Sequence, residues 1–405
     1  MKKLLSLSLL SLAIADVQAA DSVSAALQEG KAGLQFRPRA EWVDDQAAAA
    51  ADPARALTMR SVLSYRTAAY EGITGMVEVE DIRALDDRYH VPVVQPRPAY
   101  AAVVDPESTA VNQAWLAGYG FKVGQQKLIF NNARFIGDVG WRQNDQTFLA
   151  AAYEQSKVLP WLDVQLAYAT QAAMINSQRA DLRLPVVNLK ARTPVGASVT
   201  LFWAGLTGRE AAGLAPANAG LLANAGVDRS REYRVVRVDG KHEGWLYDLS
   251  YGQQRAYADG TATHAPDAAY RDIQLGYDFG VMTVKLQQER LGAKFQTPLA
   301  TLHAFNGWAD RFLVTPDAGL EDRNIKLAGK ALDLNLALAW HHFSAVRGGT
   351  DFGREVDASV GKTFTPQLSG LVKVALFQGS QESTGSQAGY SRDLAKAWVQ
   401  LDYRF

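Results

Sequence analysis

An all-β chain that crosses a membrane as an antiparallel barrel of about eighteen strands is predicted by three observations. The final ten residues alternate without a break: Ala397, Val399, Leu401, Tyr403 and Phe405 fall on one face, and Lys396, Trp398, Gln400, Asp402 and Arg404 on the other. Side chains of a strand point to opposite sides with period two, and about ten residues is the length of a tilted strand that crosses a bilayer. The same alternation recurs along the chain. Finally, the joints between alternating segments are short and long by turns, which is the rhythm of inner turns and outer loops in such barrels.

Before the first strand, Met1-Lys2-Lys3 is a short cationic start, Leu4 to Ile14 is an apolar run broken only by serines, and Val17-Gln18-Ala19 offers small residues for cleavage. Residues 1–19 are therefore expected to be a removed secretory signal, and 20–405 a single barrel domain. No later apolar run is long enough for a transmembrane helix.

In the first strand Leu34, Phe36, Ala40 and Trp42 oppose Gln35, Arg37, Arg39 and Glu41. In the second, Leu57, Met59, Leu63 and Tyr65 oppose Thr58, Arg60, Ser64 and Arg66. Ile73, Val77 and Val79 then oppose Thr74, Glu78 and Glu80. Trp245, Tyr247, Leu249 and Tyr251 repeat the pattern, followed by Ile273, Leu275, Tyr277 and Phe279. Leu332, Leu334, Leu336, Leu338 and Trp340 oppose Asp333, Asn335, Ala337, Ala339 and His341. A helix would group apolar residues three and four apart, and these segments do not. Lys362 is an exception on an apolar face, placed where a lysine snorkels to headgroups. Short joints are expected at Gly120, Gly280, Thr193-Pro194 and Thr365-Pro366. Long ones are expected over 44–55, 83–110, 130–145, 205–230 and 291–321. An even strand number leaves both termini on the inner side.

Composition agrees with a wall that is half lipid-facing and half wet: 48% of residues are hydrophobic and 10% aromatic, yet mean hydropathy is slightly negative. The formal net charge is zero, which excludes a strongly basic nucleic-acid binder. Cysteine is absent, so disulfides and thiol chemistry are too. Neither a zinc pattern nor a nucleophile elbow is present, and the six histidines are scattered, so the reading is a non-enzyme without metal or cofactor.

A barrel of this size encloses an aqueous channel, so its inward charges line a pore. These are Arg37, Arg39, Arg60, Arg66, Glu78, Glu80, Lys190, Arg192, Asp333 and Arg404. They form a cross-strand lattice, of which a few members contact solute. Two long loops are candidates for the constriction. The segment 131–146 carries Arg134, Asp138, Trp141, Arg142 and Asp145. Arginine suits carboxylates and tryptophan stacks on sugar rings; alternatively, Arg142 and Asp145 pair and Trp141 packs on the wall. The segment 294–323 carries His303, Asn306, Trp308, Asp310 and Arg311 among apolar residues too numerous for a solvated loop, so it is expected to fold inward.

Several segments resemble the alginate-export family of outer-membrane barrels, particularly its porin-like members of unassigned substrate. They are Leu57-Thr58-Met59-Arg60, Val111-Asn112-Gln113-Ala114, Arg134-Phe135-Ile136-Gly137, 139–148, 295–303 and 305–310, the last reading Phe-Asn-Gly-Trp-Ala-Asp. The resemblance implies a monomeric eighteen-stranded channel of the bacterial outer membrane. Where such proteins often read Gly-Arg-Gln this chain has Gly124-Gln125-Gln126, so the channel is carried over and alginate is not. Two functions follow as expectations. One is a channel for small polar or anionic solutes such as sugar acids; the other is an export conduit for an anionic polysaccharide with periplasmic partners. Expected partners are outer-membrane lipid and lipopolysaccharide, and the barrel assembly machinery through Phe405.

Overall fold

The alternating segments form one closed antiparallel sheet of eighteen strands. The computed structural model describes residues 20–46, 52–92, 94–207, 223–224 and 227–405. The expected export signal lies outside them. The strands are β1 Lys31–Asp45, β2 Ala54–Arg66, β3 Thr74–Arg88, β4 Ser108–Gly118, β5 Phe121–Gln126 and β6 Thr147–Leu159. They continue as β7 Leu162–Ala173, β8 Arg179–Arg192, β9 Ala197–Leu206, β10 Arg231–His242, β11 Trp245–Ala256 and β12 Ala268–Asp278. The last six are β13 Met282–Leu291, β14 Leu320–Ala331, β15 Leu334–Ser344, β16 Asp351–Thr363, β17 Leu368–Gly379 and β18 Leu394–Arg404.

Each strand pairs with its sequence neighbour, and β1 pairs with β18 to close the ring. Phe405 exchanges backbone hydrogen bonds with Leu34, at 2.9 and 3.0 Å, so the final residue is part of the seam. Closure leaves no unpaired sheet edge.

Leu57, Leu63, Trp245, Leu249, Ile273, Leu338, Val399 and Leu401 are exposed on the outer surface. Between them Arg37, Arg39, Thr58, Arg60, His341 and Gln400 are buried on the inner side. An outer band this apolar would be a liability in water and is matched to lipid. Aromatic side chains gather near one rim: Phe121 against Tyr153, and Tyr277 against both Trp245 and Phe279. Such rings sit at the bilayer interface.

The joints at that rim are tight. Tyr119-Gly120, Glu243-Gly244 and Leu332-Asp333 are two-residue turns with positive φ at both positions, the hairpin geometry that suits the sheet's twist. Gly120 is confined on a second count: a Cβ there would lie 2.9 Å from the Tyr153 ring. Leu332 and Asp333, expected on a strand and facing the lumen in the case of Asp333, are thus a turn instead; the turn's φ requirement overrides the alternation. Lys362 lies outward near the same rim, 5.9 Å from the Phe364 ring centroid. Helix α1 (Val23–Gln28), capped by Ser22 Oγ, packs there against the β2–β3 turn, with Ala68 N donating to Ala26 O at 3.0 Å. At the opposite rim the long described connections gather: 89–107, 127–146 and 292–319, with 257–267 and 380–393 of medium length. The 127–146 and 292–319 connections do not stand out from the rim. Their side chains belong to the buried core, which therefore lies inside the barrel.

Candidate functional site

Two loops cross the lumen and hold each other. In the first, 127–146, Gly137 N donates to Leu299 O at 2.9 Å. Thr301 N of the second loop, 292–319, donates back to Ala133 O at 3.0 Å. Gln146 Nε2 reaches both Gly137 O and Leu299 O, at 2.7 and 3.0 Å. Val139, a β-branched residue at φ 51°, is held in that strained conformation by its N–H bond to Thr301 Oγ1.

The loops are tied to opposite walls. Phe135 packs on Phe202, Tyr233 and Tyr270 with centroids 5.3–5.6 Å apart, an apolar anchor on β9, β10 and β12. Arg134 donates to Glu289 of β13 at 2.6 Å, and Asn306 shares that carboxylate. On the far side Phe312 packs on Phe343, Phe352 and Phe377. The Trp308 and Ala309 N–H groups bond Asp357 and Glu355 of β16 at 3.1 and 2.7 Å. Gly307 makes this docking possible: its φ is +83°, and a Cβ there would sit 2.5 Å from the Glu355 carboxylate.

Charged groups from the loops and from β1, β2, β17 and β18 meet at the centre. Arg142 donates to Glu41 and also lies 3.5 Å from Asp105 and 3.3 Å from Asp310. The alternative Arg142–Asp145 pairing does not form. Asp145 instead binds Arg60 and Lys127, at 2.5 and 2.6 Å. Burial would raise the Asp145 carboxyl, but Lys127 and Arg60 hold it below the ordinary carboxylate range. Arg39 bridges Gln400 of β18 and Trp141 O of the first loop, its guanidinium 4.3 Å from the Trp141 ring centroid.

Trp141 stacks on His303 with centroids 4.5 Å apart. Lys373 Nζ sits 4.2 Å from Trp141 and 3.7 Å from Trp308, and 2.7 Å from His303 Nε2. An ammonium only donates, so Nε2 accepts and Nδ1 carries the proton it gives to Asp310 at 2.7 Å. Burial holds the His303 imidazole well below its ordinary pKa, with Lys373 reinforcing this against the Asp310 carboxylate. Burial would raise Asp310, but contacts with His303, Lys396 and Arg142 hold it well below the carboxylate range.

The sequence-based candidates therefore divide into two levels. Arg39, Arg60, Glu80, Arg134, Trp141, Arg142, Trp308 and Asp310 lie in or against the loop assembly. Arg37 joins them to the inner half: it bonds Asp402 at 3.0 Å and Gly140 O at 3.3 Å. Arg66, Glu78, Lys190, Arg192 and Arg404 line the inner half. There Glu78 accepts from Asn112 and Gln113, Arg192 pairs with Asp163, and Arg66 faces Trp115. Sequence reading missed the acidic partners Asp105, Glu289, Glu355 and Asp357, and the cation Lys373. The four on strands have inward parity in their segments, which is the signal that identifies them. Among the described residues no group of three or more His, Asp or Glu is arranged for a metal ion.

The outer half of the lumen is thus a packed assembly of ion pairs and aromatics. The inner half keeps half-exposed cations: Lys122, Lys190, Arg237, Lys285 and Lys326.

No protein-family profile matches the chain, the alginate-export family included, and no curated protein matches it in sequence. Solved structures do match. OccAB2 of Acinetobacter baumannii superposes with a TM-score of 0.69 at 13% identity, covering 94% of this chain and 98% of that one. OccK9 (OpdG) of Pseudomonas aeruginosa gives 0.67 at 13%, covering 94% and 99%. OccK2 (OpdF) of Pseudomonas aeruginosa, in complex with glucuronate, gives 0.62 at 13%, covering 94% and 98%. The chain shares their fold along nearly its whole length.

Proposed function

We propose that this chain is a channel of the bacterial outer membrane for small polar solutes, with carboxylated solutes such as sugar acids as the class it suits best. The observation that carries the proposal is the lumen itself. A closed eighteen-stranded wall encloses charged side chains, and two interlocked loops narrow it at mid-height. Charges in this number would be very costly in a dry core and cost little along a water path. Below the loops, the half-exposed cations Lys122, Lys190, Arg237, Lys285 and Lys326 supply donors for carboxylates along the water path. The bound glucuronate of OccK2 (OpdF) is support of the same kind.

A polymer conduit needs a wide bore, and the filled outer half opposes that alternative. The exposed outer band fits lipid, the loop rim fits the lipopolysaccharide side, and Phe405 at the inner rim fits capture by the assembly machinery. One barrel closed on itself fits a monomer.

Planar-bilayer recording tests the proposal. The folded protein should give discrete conductance steps, and deletion of Leu299 to Thr315 should raise the step size. Liposome swelling should then be faster with glucuronate than with a neutral disaccharide. A protein that inserts but passes no current sinks the channel reading.

A further inference from the structure

We propose that a row of basic side chains on the outer face of β12–β16, at the loop rim, docks the phosphates of an outer-leaflet glycolipid. The inference rests on the outer-membrane placement of the barrel and not on conduction. The row consists of Arg271, Arg290, Arg323, His342 and Arg354. Each lies within three residues of the loop-rim end of its strand. Strand register joins them: Arg271 pairs with Arg290, Arg323 with His342, and His342 with Arg354. Neighbouring strands lie about 4.8 Å apart, so the row runs roughly 19 Å along the wall.

Parity fixes the face. Ile273, Ile325, Trp340 and Val356 stand two residues further from the rim on the same strands, and all four are exposed on the outer surface. The intervening Asp272, Asn324, His341 and Glu355 are buried on the lumenal side. The apolar band therefore stops where the row begins. The Trp340 and His342 rings stack across that boundary, 9° from parallel with centroids 6.4 Å apart. Tryptophan favours the membrane interface, which sets the row at headgroup level beside the long loops.

Positive charge is in surplus there. Elsewhere in the outer half Arg83, Arg88 and Arg234 each hold an acidic partner two positions away, Asp81, Asp86 and Glu232. In the row one carboxylate, Glu321, serves two arginines. It accepts from Arg323 Nε at 2.5 Å, lies 3.3 Å from Arg290 Nε and also takes Gln288 at 2.7 Å. Asp351 lies 3.3 Å from His342 Nε2 and accepts from Gly353 N at 2.9 Å. Arg271 has the Tyr251 ring, 5.9 Å from its guanidinium carbon. Among the described residues no hydrogen-bond or ion-pair acceptor reaches the guanidinium of Arg271 or Arg354. A cationic strip bordering an apolar one complements an amphiphile with phosphates on its head and acyl chains beneath. Guanidinium forks suit phosphate, and a soluble anion would use the cationic strip alone.

The test is native mass spectrometry of the folded barrel in detergent, titrated with lipid A carrying two phosphates. The wild type should retain this lipid at concentrations where phosphatidylcholine and inorganic phosphate do not bind. Arg271→Gln/Arg354→Gln should raise the half-binding concentration about tenfold, the scale of a lost charge-assisted hydrogen bond, and Arg354→Gln alone should move it the same way. Arg271→Lys/Arg354→Lys should keep most of the affinity. Arg83→Gln/Arg88→Gln, where the charges are already matched, should leave it unchanged. Heat-dependent migration on gels reports whether each variant has folded. If the glutamine variants bind lipid A like the wild type, or the wild type takes phosphatidylcholine as tightly, the row is not a docking site and the outer-membrane placement stands. Inorganic phosphate bound at the same concentration would make it a soluble-anion site and overturn the lipid assignment. If the folded wild type does not insert into phosphatidylcholine vesicles, the membrane placement fails and this inference with it.

Discussion

Arg134 Nε donates to Glu289 Oε1 at 2.6 Å, and both side chains are 2% exposed. This pair fastens the first lumenal loop to β13 across 155 residues of sequence. Removing one partner of a buried ion pair costs about 3–5 kcal/mol, because the other charge is left behind. The barrel's backbone ladder is untouched, so the cost should appear as loop release. Arg134→Met should give larger and noisier single-channel currents. Arg134→Met with Glu289→Met should recover part of the wild-type behaviour, since an apolar pair leaves no stranded charge. Wild-type currents from the single variant would count against the pin.

Gly307→Ala tests the second loop's docking. The substitution meets both a positive φ and the Glu355 carboxylate, so the Trp308 and Ala309 N–H bonds to β16 should be lost together. Loss of two bonds to charged acceptors is worth roughly 3 kcal/mol. Conductance should rise, while heat-resistant migration of the barrel on gels stays near wild type.

Acid should loosen the same loop. The His303 pKa is depressed in the packed loop, so below about pH 6.5 a released loop takes up a proton that the packed loop refuses. Packing therefore weakens as pH falls, by up to about 1.4 kcal/mol per unit, until the depressed pKa is reached. Asp310 acts in the same direction lower down. Its stabilising effect is complete above its ordinary pKa of about 3.9 and is lost as pH falls through the depressed value. Recordings should show more open-level excursions at pH 5 than at pH 7, and His303→Gln should flatten that difference.

The two faces of the wall should differ sharply in their tolerance of charge. Leu338 is 46% exposed on the outer face at mid-strand, and its neighbour Ala337 faces the lumen between Ala328 and Ser359. Arginine at the lipid midplane costs about 2–4 kcal/mol. Leu338→Arg should therefore reduce the folded fraction in lipid vesicles, and Ala337→Arg should fold normally. Equal yields would contradict the assignment of faces.

The wall was legible because a strand at a lipid–water boundary has to alternate, as Leu57 to Arg60 and Trp398 to Tyr403 do. Leu332 and Asp333 fitted the alternation and still became a turn, because the Ala331–Leu334 pairing leaves only these two residues for the reversal and holds both at positive φ. The loops have no period at all. Their apolar content pointed inward, but the partner of Arg142 did not follow from its neighbour Asp145. Glu41, Asp105 and Asp310 meet it through the barrel's closure, and sequence spacing carries no record of that. Lys373 likewise reads as one inward lysine until Trp141, Trp308 and His303 arrive from two loops.

Arg39 touches both the last strand, through Gln400, and the first loop, through Trp141 O. The first of these contacts joins positions 361 residues apart. Nearly the whole chain must therefore be delivered before it can form, and until then both terminal strands present open hydrogen-bonding edges. Ring closure and filling of the interior are coupled through this guanidinium and through that of Arg37, which joins Asp402 to Gly140 O. A barrel that zips shut around a misplaced loop should be caught at the seam, as an assembly intermediate with its first and last strands unjoined.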